Sequence, residues 1–313
     1  MTVHIGYYIG HQGTGHLNRA FCFYNELFAN KVDFKLYIFT HKHNIDHLFR
    51  YNTTIIPIPA PEYTGKQRSC YEDYYPNIKE IVIPVVKACL EYNISTFVCD
   101  VNIEVANAVR PLVDRLITIC LHGTRDDLPH VNVFALSDRV IAPFSSRLGD
   151  HYTNSIDNLK YSGGFIKTQY LPVNNTEVEV DYDILILLGK GGDVYDPKYH
   201  KNCPRVLVLG KDKSVADPST YIKNASIVIG NAGNSIVHEV SYYNKPFICM
   251  PEFRPYDEQY IKAQILHDNK YALLSSWSNS LKLDVCRLQA QRNKQHLVKP
   301  SAAKYYMELI LND

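Results

Sequence analysis

A histidine in a glycine-rich loop is the first feature of this sequence that could do chemistry. The segment GHQGTGH, residues 10–16, follows a short apolar run and leads into a helical pattern. Backbone N–H groups in such a loop can hold an anion. The pKa of a free imidazole is about 6.5, which suits a general base. The pattern therefore indicates His16 as a base beside an anion-binding loop that includes Gly15. The alternative is a tight turn in which His16 only packs.

A second glycine-rich loop, GKGGD at 189–193, follows an apolar run in the second half of the chain. Gly189, Gly191 and Gly192 would let a phosphate approach the backbone closely. A flexible turn is the alternative. The Walker pattern of ATP-hydrolysing proteins is missing at this position, so ATP hydrolysis is not indicated.

The richest set of candidates lies at 230–259. GNAGNS opens a helix whose N–H groups suit a diphosphate, and the candidates there are Asn231, Gly233, Asn234 and Ser235. Glu239 comes one helical turn after Ser235, and its carboxylate could accept hydrogen bonds from both hydroxyls of a ribose. Taken alone, Glu239 could equally lie on a solvated helix face. After the next strand come further polar side chains that suit sugar hydroxyls: Asp257, Glu258 and Gln259.

These loops need strands and helices to position them, and the hydrophobic pattern predicts both. Apolar runs such as 34–40 and 95–101 alternate with helical periods such as 16–30, and the second half repeats the theme. This alternation predicts α/β architecture, with mostly parallel sheets covered on both faces. Ligands of such sheets bind beyond the carboxyl ends of the strands. We therefore expect two α/β domains that face one cleft.

A segment without helical period, rich in Gly, Pro, Asn and acidic residues, spans 162–183. We place the domain boundary within it, giving an N-terminal domain of residues 1–165 and a C-terminal domain of residues 166–313. The final helical pattern, 300–313, can pack back on the first domain. Pro84 is expected to kink or split the helix predicted at 76–93.

The bulk composition is that of an ordinary globular protein, with 46% hydrophobic and 21% charged residues. A formal net charge of +1 gives no overall attraction to nucleic acid. The eight cysteines form no C-x-x-C pair, which favours a reducing compartment. The sequence shows no signal-peptide pattern and no apolar run near the ~20 residues of a membrane span. We expect a cytoplasmic protein.

The segment GNAGNSIVHEVSYYNKPFICMPEFRPYDEQYIKAQIL, residues 230–266, resembles the nucleotide-sugar half of glycosyltransferase family 28, the family of MurG-type enzymes. That family has a strand, a small-residue turn, a helix with a glutamate, a strand that ends in a proline, and a glutamine ahead of a helix. Glu239, Pro251 and Glu258–Gln259 match this pattern. GHQGTGHLNRA, residues 10–20, resembles the family's N-terminal glycine-rich loop.

The resemblance implies the GT-B fold, with two Rossmann-like domains, the donor in the second and the acceptor in the first. It implies an inverting, metal-independent glycosyltransferase with no cofactor beyond its co-substrate, a nucleotide sugar such as a UDP-linked hexose or N-acetylhexosamine. By position, Glu239 would bind the ribose, Gly233–Ser235 the diphosphate, and Glu258 and Gln259 the donor sugar. His16 would deprotonate a hydroxyl of a glycan or lipid-linked precursor of the cell surface.

Polar residues at two strand ends of the first half are candidates for holding that acceptor: His122, Arg125 and Asp100. Asp126 or Asp127 is an alternative base, and a purely structural Arg–Asp pair is the alternative for the whole loop. His43 and His47 have no third ligand at a defensible spacing, so we predict no metal site.

Three other functions remain open at this stage. A UDP-sugar 2-epimerase has the same two-domain fold and would need no acceptor. A non-catalytic nucleotide-sugar or glycan-binding protein would bind without turnover. A dehydrogenase is disfavoured, because the first loop lacks G-x-G-x-x-G with an acidic partner about 20 residues later. Peripheral association with the inner face of a membrane fits a lipid-linked acceptor. The sugar, the linkage and the oligomeric state do not follow from the sequence.

Overall fold

The computed structural model describes residues 2–10, 14–62, 77–171, 182–189, 195–201, 203, 205–210, 213, 215, 217–289 and 297–312. The strands are β1 Val3–Tyr8, β2 Phe34–Thr40, β3 Thr53–Pro57, β4 Thr96–Cys99, β5 Arg115–Ile119, β6 Arg139–Ala142, β7 Leu159–Tyr161, β8 Ile184–Leu187, β9 Val206–Leu209, β10 Ile227–Gly230, β11 Phe247–Cys249 and β12 Leu273–Leu274. The helices are α1 Gly15–Ala29, α2 Ile78–Glu91, α3 Ile103–Val109, α4 Leu128–Leu136, α5 His151–Asn154, α6 Ser219–Asn224, α7 Asn234–Tyr242, α8 Glu258–Asp268, α9 Leu281–Gln289 and α10 Ala302–Leu311.

The first sheet has the strand order β3-β2-β1-β4-β5-β6-β7, and its described pairings are parallel. The chain runs from β1 to β2 on one side, and β4 later pairs with the other side of β1. Loops that leave β1 and β4 therefore diverge and open a crevice between them. His16 follows β1 and Asp100 follows β4, so the topology brings these two residues together.

The second sheet has the strand order β12-β11-β10-β8-β9, and its described pairings are also parallel. Here the crevice opens between β8 and β10, which pair with each other. Gly189 follows β8 and Asn231 follows β10. The two parallel sheets confirm the predicted α/β class.

Helix α1 forms because apolar residues recur every three or four positions, and Ala20, Phe23 and Leu27 are buried against the first sheet. The last helix, α10, covers the same core and inserts Tyr306, whose hydroxyl lies 2.9 Å from that of Tyr7. Each such large side chain stabilises the fold by roughly 1.5–3 kcal/mol through burial. Helix α10 thus packs on the first domain, although the two are far apart in the sequence.

Two helices differ from the sequence prediction. Helix α2 continues across Pro84, because Ile81 and Val85 on either side of the proline are both buried in one core cluster. The helical pattern at 256–269 predicts a helix from Tyr256, but α8 begins at Glu258, because Tyr256 and Asp257 adopt the left-handed backbone region with φ of 62° and 53°. Within the described residues, none of the helices combines the length and the apolar composition that crossing a bilayer requires.

Candidate active site

A cleft of about 520 Å³ separates the first turn of α1 from the start of α7 and the loop before α8. It brings together most of the predicted site residues: Gly15, His16, Gly189, Asn231, Gly233, Asn234, Ser235, Glu258 and Gln259. The predicted Gly191 and Gly192 lie outside the described residues. Polar groups from both sheets therefore converge on one space large enough for a ligand of several rings.

On the first-sheet side, His16 is held by a buried carboxylate. Nδ1 of His16 lies 2.8 Å from Oδ1 of Asp100. Arg19, one turn further along α1, donates from Nε to Oδ2 and from an Nη to Oδ1 of the same carboxylate, each at 2.8 Å. Burial pushes the pKa of Asp100 upward, but the charges and hydrogen bonds of Arg19 and His16 outweigh burial and lower this pKa. Asp100 is thus ionised, and His16 keeps its second ring nitrogen, Nε2, for the cleft.

The close approach of these groups depends on the absence of a side chain at Gly10. A Cβ atom at this position would lie 2.8 Å from both the Asp100 carbonyl oxygen and the His16 Nδ1 atom. Both distances are shorter than carbon atoms tolerate, and the backbone of β4 cannot yield as a side chain can. Gly10, just after β1, is therefore needed for the placement of His16 as well as for the turn.

On the second-sheet side, the N-terminus of α7 opens onto the cleft. Gly233 is its N-cap and supplies no capping side chain, so the first-turn N–H groups are available to an anion. The Gly233 N–H itself donates to Asn231 Oδ1 at 2.9 Å. A Cβ atom on Gly189 would lie 2.6 Å from Asn231 Nδ2, so this glycine lets the two loops close together.

Gln259 joins the two loops of this half. Its Oε1 accepts hydrogen bonds from the backbone N–H of Ala232 at 3.2 Å and of Glu252 at 2.9 Å. Gln259 is almost fully buried, although part of it reaches the cleft wall. Its observed contacts are therefore those of a residue that sets the spacing between the turn after β10 and the loop before α8.

A buried lysine supports the start of α7. Lys262 has no exposed surface, and its Nζ donates to Asn234 Oδ1 at 2.6 Å and lies 3.7 Å from Glu258 Oε1. Burial lowers the pKa of Lys262 to about 8, against the attraction of Glu258. At neutral pH this side chain is a positive charge directly behind the anion-binding turn.

Glu239 lies one turn into α7, in a much smaller pocket that shares Gly15, Arg19 and Ser235 with the main cleft. Lys167, from the segment that connects the two sheets, lines the same pocket. Burial raises the pKa of Glu239 to about 7; Lys167 acts against this and Asp217 adds to it. Glu239, the residue predicted to bind the ribose, thus has a nearly buried carboxyl group at a branch of the cleft.

Arg125 connects the two halves of the molecule. It lies 3.5 Å from Glu258 Oε2 and its guanidinium stands 4.9 Å from the centre of the Tyr256 ring. It also donates to the carbonyl oxygens of Leu121 and His122. Gly123 permits the contact, because a Cβ atom there would lie 2.6 Å from the Tyr256 carbonyl oxygen. Glu258, which lines the cleft, is therefore tethered from the opposite domain.

The structure places His122, Arg125 and Asp100, for which an acceptor-binding role is predicted, away from the cleft. All three are buried and none lines the cleft. Nε2 of His122 contacts the Leu148 carbonyl oxygen at 2.8 Å and the ring stacks on Phe144. Asp100 is occupied by His16 and Arg19. Their burial and their contacts inside the protein are those of positioning and packing residues, and none of the three side chains lines the cleft.

The alternative bases and one donor candidate also lie away from the cleft. Asp127 caps α4 and its Oδ2 lies 2.7 Å from His130 Nδ1. Asp126 is exposed to solvent, and so is Asp257, which sits in the left-handed turn before α8. Since none of these carboxylates lines the cleft, His16 is the base candidate that the geometry favours.

Sequence reasoning missed Arg19 and Lys262. Arg19 stands three residues after His16, which places it on the same side of a helix. Lys262 follows Glu258 by four residues, again one turn. Both spacings were visible in the sequence. What was not visible is that these long cationic side chains turn inward, which only the packed structure shows.

Comparison with known proteins identifies the second half of the chain. Residues 176–307 match the family model described as the glycosyltransferase family 28 C-terminal domain. This match covers less than half of the chain and concerns its C-terminal part. The predicted resemblance of residues 230–266 to this family is confirmed. A sequence search of curated proteins finds no match.

Solved structures show the same fold along the whole chain. MurG of Acinetobacter baumannii superposes with a TM-score of 0.65 at 13% identity, covering 98% of this chain and 99% of that one. A kitacinnamycin glycotransferase gives 0.68 at 11%, covering 99% and 94%. The UDP-GlcNAc 2-epimerase of Methanocaldococcus jannaschii gives 0.62 at 11%, covering 99% of both chains. At such identities these likenesses establish the GT-B fold alone.

Proposed function

We propose that the protein is an inverting, metal-independent glycosyltransferase of the EC 2.4 class. It moves a hexose or N-acetylhexosamine from a nucleotide diphosphate, with UDP the first candidate, to a hydroxyl of a glycan or lipid-linked acceptor. Residues 1–165 would bind the acceptor and residues 166–313 the donor. The observation that carries this proposal is the position of His16, fixed on a buried carboxylate across the cleft from the open N-terminus of α7.

The proposed reaction is one displacement. Nε2 of His16 takes the proton of the acceptor hydroxyl as its oxygen bonds to the anomeric carbon. The bond from that carbon to the diphosphate oxygen breaks on the opposite face, which inverts the configuration. The first-turn N–H groups of α7, backed by Lys262, stabilise the negative charge that develops on the departing diphosphate.

On the donor side, Glu239 would accept hydrogen bonds from the two ribose hydroxyls, and Glu258 would contact the transferred sugar. The acceptor would enter from the side of Thr14 and Leu121, which line the first-sheet wall of the cleft. We place the enzyme in the cytoplasm, with its acceptor glycan or lipid-linked precursor at the inner face of the membrane, in the synthesis of a cell-surface polysaccharide.

A UDP-sugar 2-epimerase is the second candidate, since the fold of such an enzyme also covers the chain. It would convert a UDP-sugar without an acceptor. A non-catalytic binding protein would bind UDP and release it unchanged.

The test is a panel of nucleotide sugars incubated with the protein, with and without acceptor glycans, and analysed for new products. We expect transfer only with an acceptor, with an inverted anomeric centre in the product. His16→Gln should abolish turnover while UDP binding persists. The matched control is Asp126→Asn, which changes an exposed carboxylate of the same domain. Conversion without acceptor would establish the epimerase instead, and binding without any conversion would leave only the binding protein.

A further inference from the structure

Three atoms at the proposed base, one each from Asp100, Arg19 and His16, lie within 2.8 Å of one another. Oδ1 of Asp100 is 2.8 Å from His16 Nδ1 and 2.8 Å from an Nη atom of Arg19. The same Nη lies 2.7 Å from His16 Nδ1. A guanidinium only donates, so two arrangements fit: Arg19 donates to an unprotonated Nδ1, or both nitrogens donate to Oδ1, which can accept two hydrogen bonds. In the second arrangement Nδ1 of His16 carries the ring proton, and Nε2 is free to act as a base.

This arrangement requires that Asp100 be ionised, although it has no exposed surface. An isolated carboxylate in such a place would take up a proton, because burial penalises its charge. Arg19 prevents this with a two-point contact on both oxygens. The other titratable groups that interact electrostatically with Asp100 lie on the strands and helices around it: Tyr7 on β1, Cys99 on β4 and Tyr306 on α10.

None of those three neighbours can replace Arg19. Burial raises the pKa of Tyr7, Cys99 and Tyr306 well above their ordinary values, so all three are neutral at physiological pH. A neutral His16 that donates Nδ1–H to Asp100 adds a hydrogen bond but no net positive charge. The positive charge that keeps the carboxylate ionised thus comes from the guanidinium of Arg19.

We propose that Arg19 is a positioning residue that selects the tautomer of His16 by keeping Asp100 ionised. Without Arg19, Asp100 takes a proton from water and its O–H donates to Nδ1. The ring proton then resides on Nε2, where it faces the cleft and blocks the base. The role rests on the proposed function of His16, but the tautomer is a property of the resting protein and is measurable without substrate.

The direct test is long-range ¹H–¹⁵N NMR of the full chain with ¹⁵N-labelled histidine, which distinguishes a protonated Nδ1 from a protonated Nε2. His16 signals are identified by their loss in His16→Gln. We expect Nδ1–H in the unmodified protein and Nε2–H in Arg19→Gln at neutral pH. Arg19→Lys retains a positive charge and should keep Nδ1–H. An unchanged tautomer in Arg19→Gln would overturn the proposal.

A buried arginine is costly to replace, so folding needs its own control. Tyr306→Phe removes a neighbouring hydroxyl without changing the charge, and should leave the tautomer and the circular dichroism spectrum unchanged. If Arg19→Gln does not fold, Arg19→Met, which fills a similar volume, replaces it in the same NMR experiment. The same two outcomes, Nε2–H or Nδ1–H, then support or overturn the proposal.

Kinetics separate this role from a purely structural one. Arg19→Gln should lower kcat by about 10²- to 10⁴-fold, the usual contribution of a general base, with the donor KM within about twofold. Activity should partly recover as the pH rises and Asp100 loses its proton. Asp100→Asn should show the same loss without recovery, because an amide cannot ionise. A loss in Arg19→Gln that does not change with pH would contradict the proposal. If the unmodified protein shows no activity, the proposed function fails while the NMR result still decides the role of Arg19.

Discussion

Two buried carboxyl groups lie on opposite sides of the cleft and have opposite pKa shifts. Asp100, 0% exposed, is bound by Arg19 and His16, and its pKa is lowered despite burial. Glu239, 4% exposed, has Lys167 as its favourable charge, and burial raises its pKa to about 7. Asp100 therefore has its hydrogen-bond and charge partners in place before any ligand binds. We propose that Glu239 gains its remaining partners from the donor hydroxyls that enter its pocket. On this proposal the first domain is preorganised for chemistry, and the second responds to its ligand.

The largest effect should follow from removing the charge of Asp100. Asp100→Asn leaves Arg19 buried without an ionised partner, which costs about 3–5 kcal/mol of folding stability. The variant should also lose at least about 10²-fold in kcat because His16 loses its orientation. Denaturant unfolding and transfer assays measure the two effects. Asp183→Asn, which breaks an exposed ion pair with Arg205, is the control and should change neither by a measurable amount. Normal stability in Asp100→Asn would contradict the first half of the comparison.

Glu239 should behave in the opposite sense in the unliganded protein. Its raised pKa means that the folded state holds a proton more tightly than the unfolded state, so its contribution to stability is present below about pH 4.5 and is lost as pH rises through about 7. Glu239→Gln should therefore have a higher free energy of unfolding than the unmodified protein at pH 8, by roughly 3 kcal/mol at most, and should unfold at a higher temperature. The difference should vanish near pH 4.5. Destabilisation at pH 8 would show that Glu239 already has adequate partners.

Lys262 sharpens the comparison within the second domain. Its pKa of about 8 means that the charge behind α7 is lost as the pH rises through this value. Affinity for UDP, measured by titration calorimetry, should fall over the same range. Lys262→Met should bind UDP roughly tenfold more weakly at pH 7, the equivalent of one partly screened charge, and should lack this alkaline decline. Lys304→Met, an exposed lysine on α10, is the control. A decline that persists in Lys262→Met would assign it to another group.

The smallest effect is expected for Arg125, which connects the two sides of the cleft. Arg125→Met removes the contact with Glu258 and the stacking on Tyr256, so Glu258 should lose its fixed position in the cleft. We expect a donor KM about three- to tenfold higher, with kcat within about twofold. Arg205→Met, in the exposed pair with Asp183, is the control. A change in kcat alone would mean that Arg125 acts on the chemistry instead.

The strand pattern and glycine loops were sufficient to predict the fold and the convergence of His16 with the α7 turn. Both follow from local signals, namely hydrophobic periodicity and small residues at strand ends. The inward direction of Arg19 and Lys262, and the burial of Arg125 and His122, depend on segments far apart in the chain. Tyr306, for instance, reaches the core beside Tyr7 from 299 positions away. Sequence patterns report residue types at a position, and such pairings are determined only when distant segments pack.

The measurement that tests the account most directly is UDP binding by the unmodified protein and by Glu239→Gln at pH 8, in the same samples used for thermal unfolding. The account predicts opposite signs: the substitution raises the unfolding temperature of the free protein and weakens UDP binding at least about tenfold, since a hydrogen bond to a charged group contributes about 1.5–3 kcal/mol. Equal UDP affinity in the two proteins, or no UDP binding by either, would contradict the claim that Glu239 is held ready for the donor.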